Sequence, residues 1–253
     1  MDEFKKLLSN KTKLVAVNYI SNSLGTINPV KEIIALAIEN GATTLIDAAQ
    51  AAPHVKIDVQ ALNCDFLALS SHKMYGPTGV GVLYGRRDLL EAMPPYQGGG
   101  EMIKDVSFNG TTYNDIPYKF EAGTPNIGEV IAFKYAMDFI DELGHENIQA
   151  YENELLEYAN AKLELVPGFI PIGTAKKKAS VISFLVKNVH PYDLGQLLDV
   201  KGIAVRTGHH CTQPLMDFLE IDGTVRASFA VYNTKEEIDT FCEALKNIAE
   251  RFN

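Results

Sequence analysis

The 253-residue chain has 23 Lys and Arg residues against 32 Asp and Glu residues, a formal net charge of −9 at pH 7. With 46% hydrophobic and 22% charged residues, its composition excludes a disordered, collagen-like or disulfide-scaffold chain and allows one large domain or two modest ones. The acidic balance argues against nucleic acid or an anionic membrane as a partner, and no apolar run is long enough for a membrane span. Because the three cysteines are odd in number and scattered, we expect a reducing compartment and a cytoplasmic protein.

The first half of the chain alternates short apolar runs with helical patterns. Helices are predicted over Met1–Leu8 and over Val30–Glu39, the second between Asn28-Pro29 and Gly41. Four strands are predicted: Leu14–Val17, Thr43–Ile46, Phe66–Leu69 and Val80–Leu83. Short runs without alternation are typical of strands buried on both faces, so we expect a sheet covered by helices. The Pro- and Gly-rich residues 94–125 predict a long, irregular, functional loop.

The second half begins with two long predicted helices and continues as a mixed pattern. The remaining predicted elements, in order, are the helices Glu129–Leu143 and Asn147–Leu165, the strand Ser180–Val186, the helix Pro191–Leu198, the strands Ile203–Val205 and Arg226–Val231, and the helix Lys235–Arg251. We interpret residues 1–145 as a β/α domain with its connecting helix, and residues 146–253 as a smaller α+β domain.

Polar residues that can do chemistry follow two of the predicted strands in the first half. Asp47 comes directly after Thr43–Ile46, with Gln50 three residues on, where ligands of open α/β sheets bind. A carboxylate there can form a salt bridge to a ring nitrogen and keep it protonated. The alternative is that Asp47 caps the N-terminus of a helix.

The run Ser70-Ser71-His72-Lys73 follows the strand Phe66–Leu69 in the same way. A lysine in the mouth of a sheet would be desolvated, which lowers its pKa and makes its amine a nucleophile toward carbonyls. Ser70 and His72 can donate hydrogen bonds to a phosphate. The alternative is that Lys73 is an ordinary surface lysine.

A third group, Arg206-Thr207-Gly208-His209-His210-Cys211, follows the predicted strand Ile203–Val205, and Arg226 lies further along the chain. A thiol close to arginines and histidines is favoured as the reactive thiolate, and two arginines suit a carboxylate ligand. Zinc is the rival ligand, but adjacent side chains of an extended segment point to opposite faces. The alternative is an inert buried cysteine, which fits Cys64 and Cys242 because they have apolar neighbours.

Six strings of the sequence, in this order, resemble the SufS-type cysteine desulfurases of the class V aminotransferase-like enzymes and their selenocysteine lyase relatives. The strings are Ser21–Pro29, Asp47–Gln50, Ser70–Gly79, Phe120–Asn126, Arg206–Cys211 and Arg226–Ser228. The resemblance implies an α/β protein of the pyridoxal phosphate-dependent transferase fold (type I), with part of the large domain and its mainly parallel sheet, plus a smaller α+β domain at the C-terminal end. It also implies conversion of L-cysteine to L-alanine with a persulfide left on the enzyme, for iron–sulfur cluster or other sulfur-carrier assembly.

The resemblance also implies a role for each matching residue. Lys73 resembles the lysine that binds pyridoxal phosphate covalently, and Cys211 the nucleophile that accepts sulfur. The cofactor contacts are implied to be Asp47 for the ring nitrogen, Gln50 for the ring oxygen, Ser70 and His72 for the phosphate, and Thr124 for the phosphate of a neighbouring subunit. The substrate contacts are implied to be Asn22, Arg206 and Arg226.

Members of this family carry a substantial N-terminal stretch before the position of Met1, so we expect this chain to lack part of the cofactor cage. The implied partners are L-cysteine, a sulfur-acceptor protein of the SUF system and a second copy of the chain, with no metal, nucleic acid or membrane. Two alternatives to desulfuration remain: a selenocysteine lyase or other class V enzyme, which differs in substrate, and an impaired fragment that acts only as a dimeric scaffold.

Overall fold

The computed structural model describes residues 1–252, which divide into two compact units. Unit 1 contains Met1–Val17, Val30–Pro53 and Ile57–Glu142, whereas unit 2 contains Asn18–Pro29, His54–Lys56 and the residues from Leu143 onward. The helices α1 to α9 are Asp2–Leu7, Val30–Glu39, Val59–Leu62, Arg87–Ala92, Ile127–Leu143, His145–Leu163, Pro191–Asp199, Gln213–Phe218 and Lys235–Phe252. The strands β1 to β10 are Leu14–Asn18, Thr43–Asp47, Phe66–Ser70, Gly81–Gly85, Ile103–Ser107, Gly110–Tyr113, Phe169–Ile172, Val181–Val186, Arg206–Gly208 and Thr224–Ser228. The predicted domain boundary at residue 145 stays a prediction.

Unit 1 is built on a four-stranded sheet in the order β1-β2-β3-β4. Strands β2 and β3 are parallel, and β4 runs antiparallel to β3 at one edge. Helix α2 packs on the sheet through Ile33 and Ala37 against Val15 and Ala42. The predicted strands are confirmed to within a few residues, but the expected burial of both faces is wrong for β4, whose first three residues are exposed.

Residues 94–125, predicted to be irregular, contain a β-hairpin in the structure. Strands β5 and β6 pair antiparallel with Ser107 opposite Gly110, which leaves Phe108 and Asn109 as a two-residue turn. Both strands are exposed along their whole length, so no buried apolar face marked them in the sequence. The prediction of a long irregular loop is therefore wrong over this hairpin.

Unit 2 is built on an antiparallel sheet in the order β7-β8-β10-β9. Helices α6, α7 and α9 supply most of the helical side chains of its core, which includes the fully buried Phe184, Leu155, Leu194 and Leu245. The predicted strand Ile203–Val205 is wrong. The backbone N–H of Ile203 donates to the carbonyl of Leu198 instead, and the strand β9 begins three residues later, at Arg206.

Among residues 1–252, no helix combines the length and the apolar character needed to cross a membrane.

Candidate active site

In unit 1 a buried polar contact aligns the two strands that carry the predicted site residues. The Thr44 backbone N–H and hydroxyl donate to Asp65 Oδ2 at 2.8 and 3.0 Å, and the Asp65 N–H donates to Thr44 Oγ1 at 2.9 Å. Thr44 lies in β2 and Asp65 directly precedes β3, and both are buried. This contact helps to set the parallel register in which Asp47 lies opposite Ala68. The carboxyl ends of β2 and β3 therefore lie side by side.

Lys73 lies on a short 3-10 helix, Ser71–Lys73, that directly follows β3. Its anchor is Ser71, which is fully buried and whose hydroxyl donates to the carbonyls of Pro77 and, at 3.0 Å, Val80. The Ser71 carbonyl accepts from the N–H groups of Met74 and Gly76 at 2.7 and 3.0 Å. A Cβ atom at position 76 would lie 3.0 Å from the Ser71 carbonyl oxygen, so the close approach of the backbone there favours a glycine.

The side chains around this turn are accessible. Lys73, His72 and Asp47 are exposed, and Ser70 and Gln50 are half-buried. The expectation that Lys73 is desolvated in the mouth of the sheet is therefore wrong for this chain. The physical reason is that its turn lies beyond the last residue of β3. Within the described residues, no hydrogen bond or ion pair engages the amine of Lys73 or the side chains of Ser70, His72 and Gln50.

Asp47 does not cap a helix, so that alternative is wrong. Residues 49–54 form turns, and the next α-helix begins at Val59. One carboxylate oxygen, Oδ1, accepts from the Ala49 backbone N–H at 2.9 Å, as in an Asx turn. Thr124 is also in unit 1, exposed in the segment before α5. No hydrogen bond within the described residues joins Thr124 to the side chains at the ends of β2 and β3.

In unit 2 the structure brings four predicted residues together around the loop that follows β9. Arg206 Nη2 lies 3.6 Å from Cys211 Sγ, and both side chains are exposed. Arg226 Nη1 donates to the backbone carbonyl of Asn22 at 2.6 Å. Asn22 Nδ2 in turn donates to the carbonyl of His210 at 2.6 Å. The thiol therefore lies in a loop that is tied to both arginine-bearing strands.

The two arginines near this loop, Arg206 on β9 and Arg226 on β10, have no acidic partner among residues 1–252. Arg226 is half-buried, and its Nε is fully buried with no hydrogen-bond partner among those residues. Burial is the main cause that lowers the pKa of Arg226, with the charge of Arg206 as the second. A half-buried guanidinium without a carboxylate is costly, so this arrangement favours an anionic ligand.

Sequence reasoning named His210 only as one of two histidines beside the thiol, and it gave Thr224 no role. His210 is 2% exposed, and its Nε2 lies 2.8 Å from the hydroxyl of the fully buried Thr224. Burial, and then the charges of Arg226 and Arg206, lower the pKa of His210 to about 4. The imidazole is therefore neutral at pH 7. The adjacent histidines were the available signal for His210, and no local pattern marked Thr224.

No group of three or more His, Cys, Asp or Glu side chains in the described part of the chain is placed to hold a metal ion. Cys64 and Cys242 are confirmed as buried cysteines, and both are free. Burial raises the pKa of both thiols, that of Cys242 to about 11. Cys211 is thus the one exposed cysteine of the three.

A family model described as aminotransferase class-V matches residues 1–241. A probable cysteine desulfurase of Halalkalibacterium halodurans is 49% identical over 252 residues, which are 100% of this chain and 62% of the relative. The crystal structure of the cysteine desulfurase CsdA (S-sulfonic acid) from Escherichia coli superimposes with a TM-score of 0.95 at 38% identity, over 100% of this chain and 63% of that one. The apo structure of a cysteine desulfurase from Thermococcus onnurineus gives a TM-score of 0.95 at 40% identity, over 99% and 63%. The chain therefore spans a little over 60% of the length of these proteins.

Proposed function

Because the chain belongs to the aminotransferase class-V family, whose α/β fold was predicted from the sequence, we propose that it acts in pyridoxal phosphate-dependent cysteine desulfuration. The observation that carries the proposal is the Cys211 loop. An exposed thiol lies 3.6 Å from one arginine, and a second, half-buried arginine nearby has no acidic partner among the described residues. A nucleophilic sulfur beside carboxylate-binding groups suits an amino acid substrate that contains sulfur.

The donor set in unit 1 fits pyridoxal phosphate. An amine, a carboxylate, a hydroxyl and an imidazole follow two neighbouring parallel strands at one edge of a sheet. The amine of Lys73 would bind the cofactor aldehyde, and Asp47 would hold the proton of the ring nitrogen. Gln50 would donate to the ring oxygen, and Ser70 and His72 would donate to the phosphate. We assign Thr124 to the phosphate bound by a second copy of the chain.

When bound, pyridoxal phosphate supplies an electron sink that permits loss of the α proton of an amino acid. Lys73 Nζ would take up that proton and return it. Arg226 would grip the substrate carboxylate, with Asn22 and Arg206 completing the contacts. Cys211 Sγ would attack the substrate sulfur as a thiolate. The balance is L-cysteine and the Cys211 thiol giving L-alanine and a persulfide on Cys211.

The physiological partners belong to the same proposal. The persulfide would pass to a sulfur-acceptor protein of the SUF type for iron–sulfur cluster assembly. A homodimer is supported by helix α5, which exposes Ile127, Val130, Ile131 and Tyr135 on one side. A cytoplasmic location is supported by the three free cysteines.

Covalent labelling at Lys73 tests the proposal directly. We expect pyridoxal phosphate followed by borohydride reduction to modify Lys73 in preference to the other lysines, as read by peptide mass spectrometry. The variant Lys73→Ala should lose the dominant label, whereas Lys177→Ala, which removes another exposed lysine, should keep it. Labelling spread evenly over the exposed lysines in all three proteins would overturn the assignment.

Turnover assays then distinguish the two candidate substrates, L-cysteine and selenocysteine. Alanine release from L-cysteine should stop in Cys211→Ala, because the sulfur has no acceptor thiol. A selenocysteine lyase would not need this thiol, so its activity toward selenocysteine would survive the same substitution. Absence of both label and turnover would instead leave the scaffold alternative.

A further inference from the structure

The loop that carries Cys211 has an uncommon backbone conformation. His210 and Cys211 are consecutive non-glycine residues in the left-handed region, with φ of +53° and +62°. Residues other than glycine keep this conformation where surrounding contacts hold them in it. Among residues 1–252, the exposed Cys211 side chain has one polar contact, the 3.6 Å approach of Arg206. Thr212 closes the turn, since its N–H and its hydroxyl donate to the His209 carbonyl at 2.9 and 2.7 Å. Further contacts tie His210 to β10.

A closed chain of hydrogen bonds supplies these contacts. His210 Nε2 bonds Thr224 Oγ1 at 2.8 Å, and the His210 carbonyl accepts from Asn22 Nδ2 at 2.6 Å. The Asn22 carbonyl accepts from Arg226 Nη1 at 2.6 Å. Thr224 and Arg226 are two residues apart on β10 and so lie on the same face of the strand. His210 is thus tied to β10 twice, once through its ring and once through its backbone.

We propose that His210 is a positioning residue, which holds the Cys211 sulfur beside the Arg206 guanidinium by fixing the backbone of the loop. The inference rests on the proposed role of Cys211 as the sulfur-accepting nucleophile. His210 acts through its neighbour, since its ring is buried and its hydrogen bond goes to Thr224.

The state of the imidazole fits a geometric role. Its Nδ1 is buried without a partner among the described residues. A proton on Nε2, donated to Thr224 Oγ1, leaves a lone pair unpaired at Nδ1, whereas the other tautomer would bury an unpaired N–H at higher cost. Burial disfavours a charged ring, and a third positive charge beside Arg226 and Arg206 is unfavourable as well, so the ring stays neutral and donates one directed hydrogen bond.

Three substitutions separate this role from simple packing. His210→Phe keeps a ring of similar size and removes the donor. His210→Gln keeps an amide nitrogen at about the reach of Nε2 and should restore the bond. His209→Phe makes the same exchange at the exposed neighbour, whose side chain forms no hydrogen bond among residues 1–252, and is the matched control.

The measurement is the rate at which iodoacetamide alkylates Cys211 at neutral pH, followed by mass spectrometry of its peptide. As a single substitution, Arg206→Gln should slow alkylation about five-fold, because the cation beside the sulfur is lost. His210→Phe should slow it to a similar extent, and adding Arg206→Gln to His210→Phe should change the rate less than about two-fold. His210→Gln and His209→Phe should stay within about two-fold of wild type.

Independent effects would overturn the proposal. If the slowing by His210→Phe and by Arg206→Gln multiplies to about 25-fold, His210 does not act through the pairing of Arg206 with Cys211. A rate for His210→Phe equal to that for His209→Phe overturns it as well. If circular dichroism shows that His210→Phe is unfolded, Thr224→Val removes the same hydrogen bond from the other side, and the same two criteria apply to it.

Alkylation needs neither cofactor nor turnover, so the two proposals fail separately. Suppose that Lys73 is not labelled specifically, while the effect of Arg206→Gln on alkylation still depends on His210. That result would refute the desulfurase function and keep the proposed loop geometry. Specific labelling of Lys73, together with independent effects of His210→Phe and Arg206→Gln on alkylation, would refute only the proposed role of His210.

Discussion

The two groups of candidate site residues differ in how much of their geometry the protein itself provides. At the Lys73 turn of unit 1, the side chains that would touch a cofactor are accessible, and most have no partner within the described residues. Rigidity there resides in the backbone, through the buried Ser71. At the Cys211 loop of unit 2, buried His210, Thr224 and half-buried Arg226 already hold the backbone that carries the thiol. A ligand would therefore supply most of the contacts of the first group's side chains, whereas in the second group contacts within the protein already hold the backbone that carries the thiol.

The cores behind the two groups differ in the same direction. The Cys211 loop follows a strand of an antiparallel sheet that packs against α6, α7 and α9 in a large buried cluster. The Lys73 turn stands on a sheet whose edge strand β4 is mostly exposed. Preorganisation of a reactive group depends on such support, because rotamers are locked by packing and by hydrogen bonds. The loop of Cys211 should therefore respond to core and protonation changes within unit 2.

The largest effect is expected from truncating the centre of the unit 2 core. Phe184 is fully buried and packs on Phe169 and Phe241 with ring centroids 5.5 and 6.1 Å away. Phe184→Ala should lower the free energy of unfolding by about 3–5 kcal/mol in urea titrations. The control Phe218→Ala, at a residue that is 82% exposed, should change it by less than about 0.5 kcal/mol. Equal effects of the two variants would contradict the packing described.

The next largest effect is a loss of stability at acid pH, which arises from protonation of His210. Its pKa is about 4 in the folded chain against 6.5 ordinarily, so the unfolded chain binds more protons between these values. Stability contributed by the neutral imidazole is therefore complete above pH 6.5 and is lost as pH falls toward 4, by up to about 3 kcal/mol. The charges facing the ring are Arg226 on β10, Arg206 on β9 and its neighbour His209.

Urea titrations at several pH values measure this loss, and His210→Gln is the control because it has no imidazole at that position. The unfolding free energy of the wild type, minus that of His210→Gln, should fall as the pH falls from 6.5 to 4, because only the wild type has an imidazole to protonate at this position. A difference independent of pH would show that His210 titrates normally.

A smaller effect should distinguish two adjacent serines at the Lys73 turn. Ser71→Ala should reduce the unfolding free energy by about 1–2 kcal/mol, because the carbonyls of Pro77 and Val80 lose their buried hydroxyl donor. Ser70→Ala should change stability by less than about 0.5 kcal/mol but weaken pyridoxal phosphate labelling at Lys73. If Ser70→Ala lowered the urea midpoint more than Ser71→Ala did, Ser70 rather than Ser71 would anchor the turn.

Much of the fold could be predicted from local sequence. Helix α2 occupies the predicted residues Val30–Glu39, and Gly41 beyond it adopts the left-handed φ of +72° that ends helices. The apolar run of β8 also marked a buried strand. Strand β7 was missed because it lies at a sheet edge and contains Pro171, which lowers its strand signal.

The candidate site was predictable where it depends on position along a strand, and not where it depends on distant contacts. Asp47 and Lys73 follow predicted strands, which was enough to single them out. The bond of His210 to Thr224 joins residues 14 apart, through a strand pairing that no local pattern shows. The exposure of Lys73 was missed for a related reason, since the sequence does not show how far a turn extends beyond its strand.

The smallest effect is expected at the contact between the Lys73 turn and α5. Tyr75 packs edge-on against Phe139 with ring centroids 5.4 Å apart, so Phe139→Leu should reduce the unfolding free energy by about 0.5–1.5 kcal/mol. Phe108→Leu, at the fully exposed tip of the hairpin, is the matched control and should change little. Because Phe139 supports the turn, labelling at Lys73 should weaken while the alkylation rate of Cys211 stays unchanged. If Phe139→Leu reduced the labelling of Lys73 and the alkylation rate of Cys211 equally, the two groups would not hold their geometry independently.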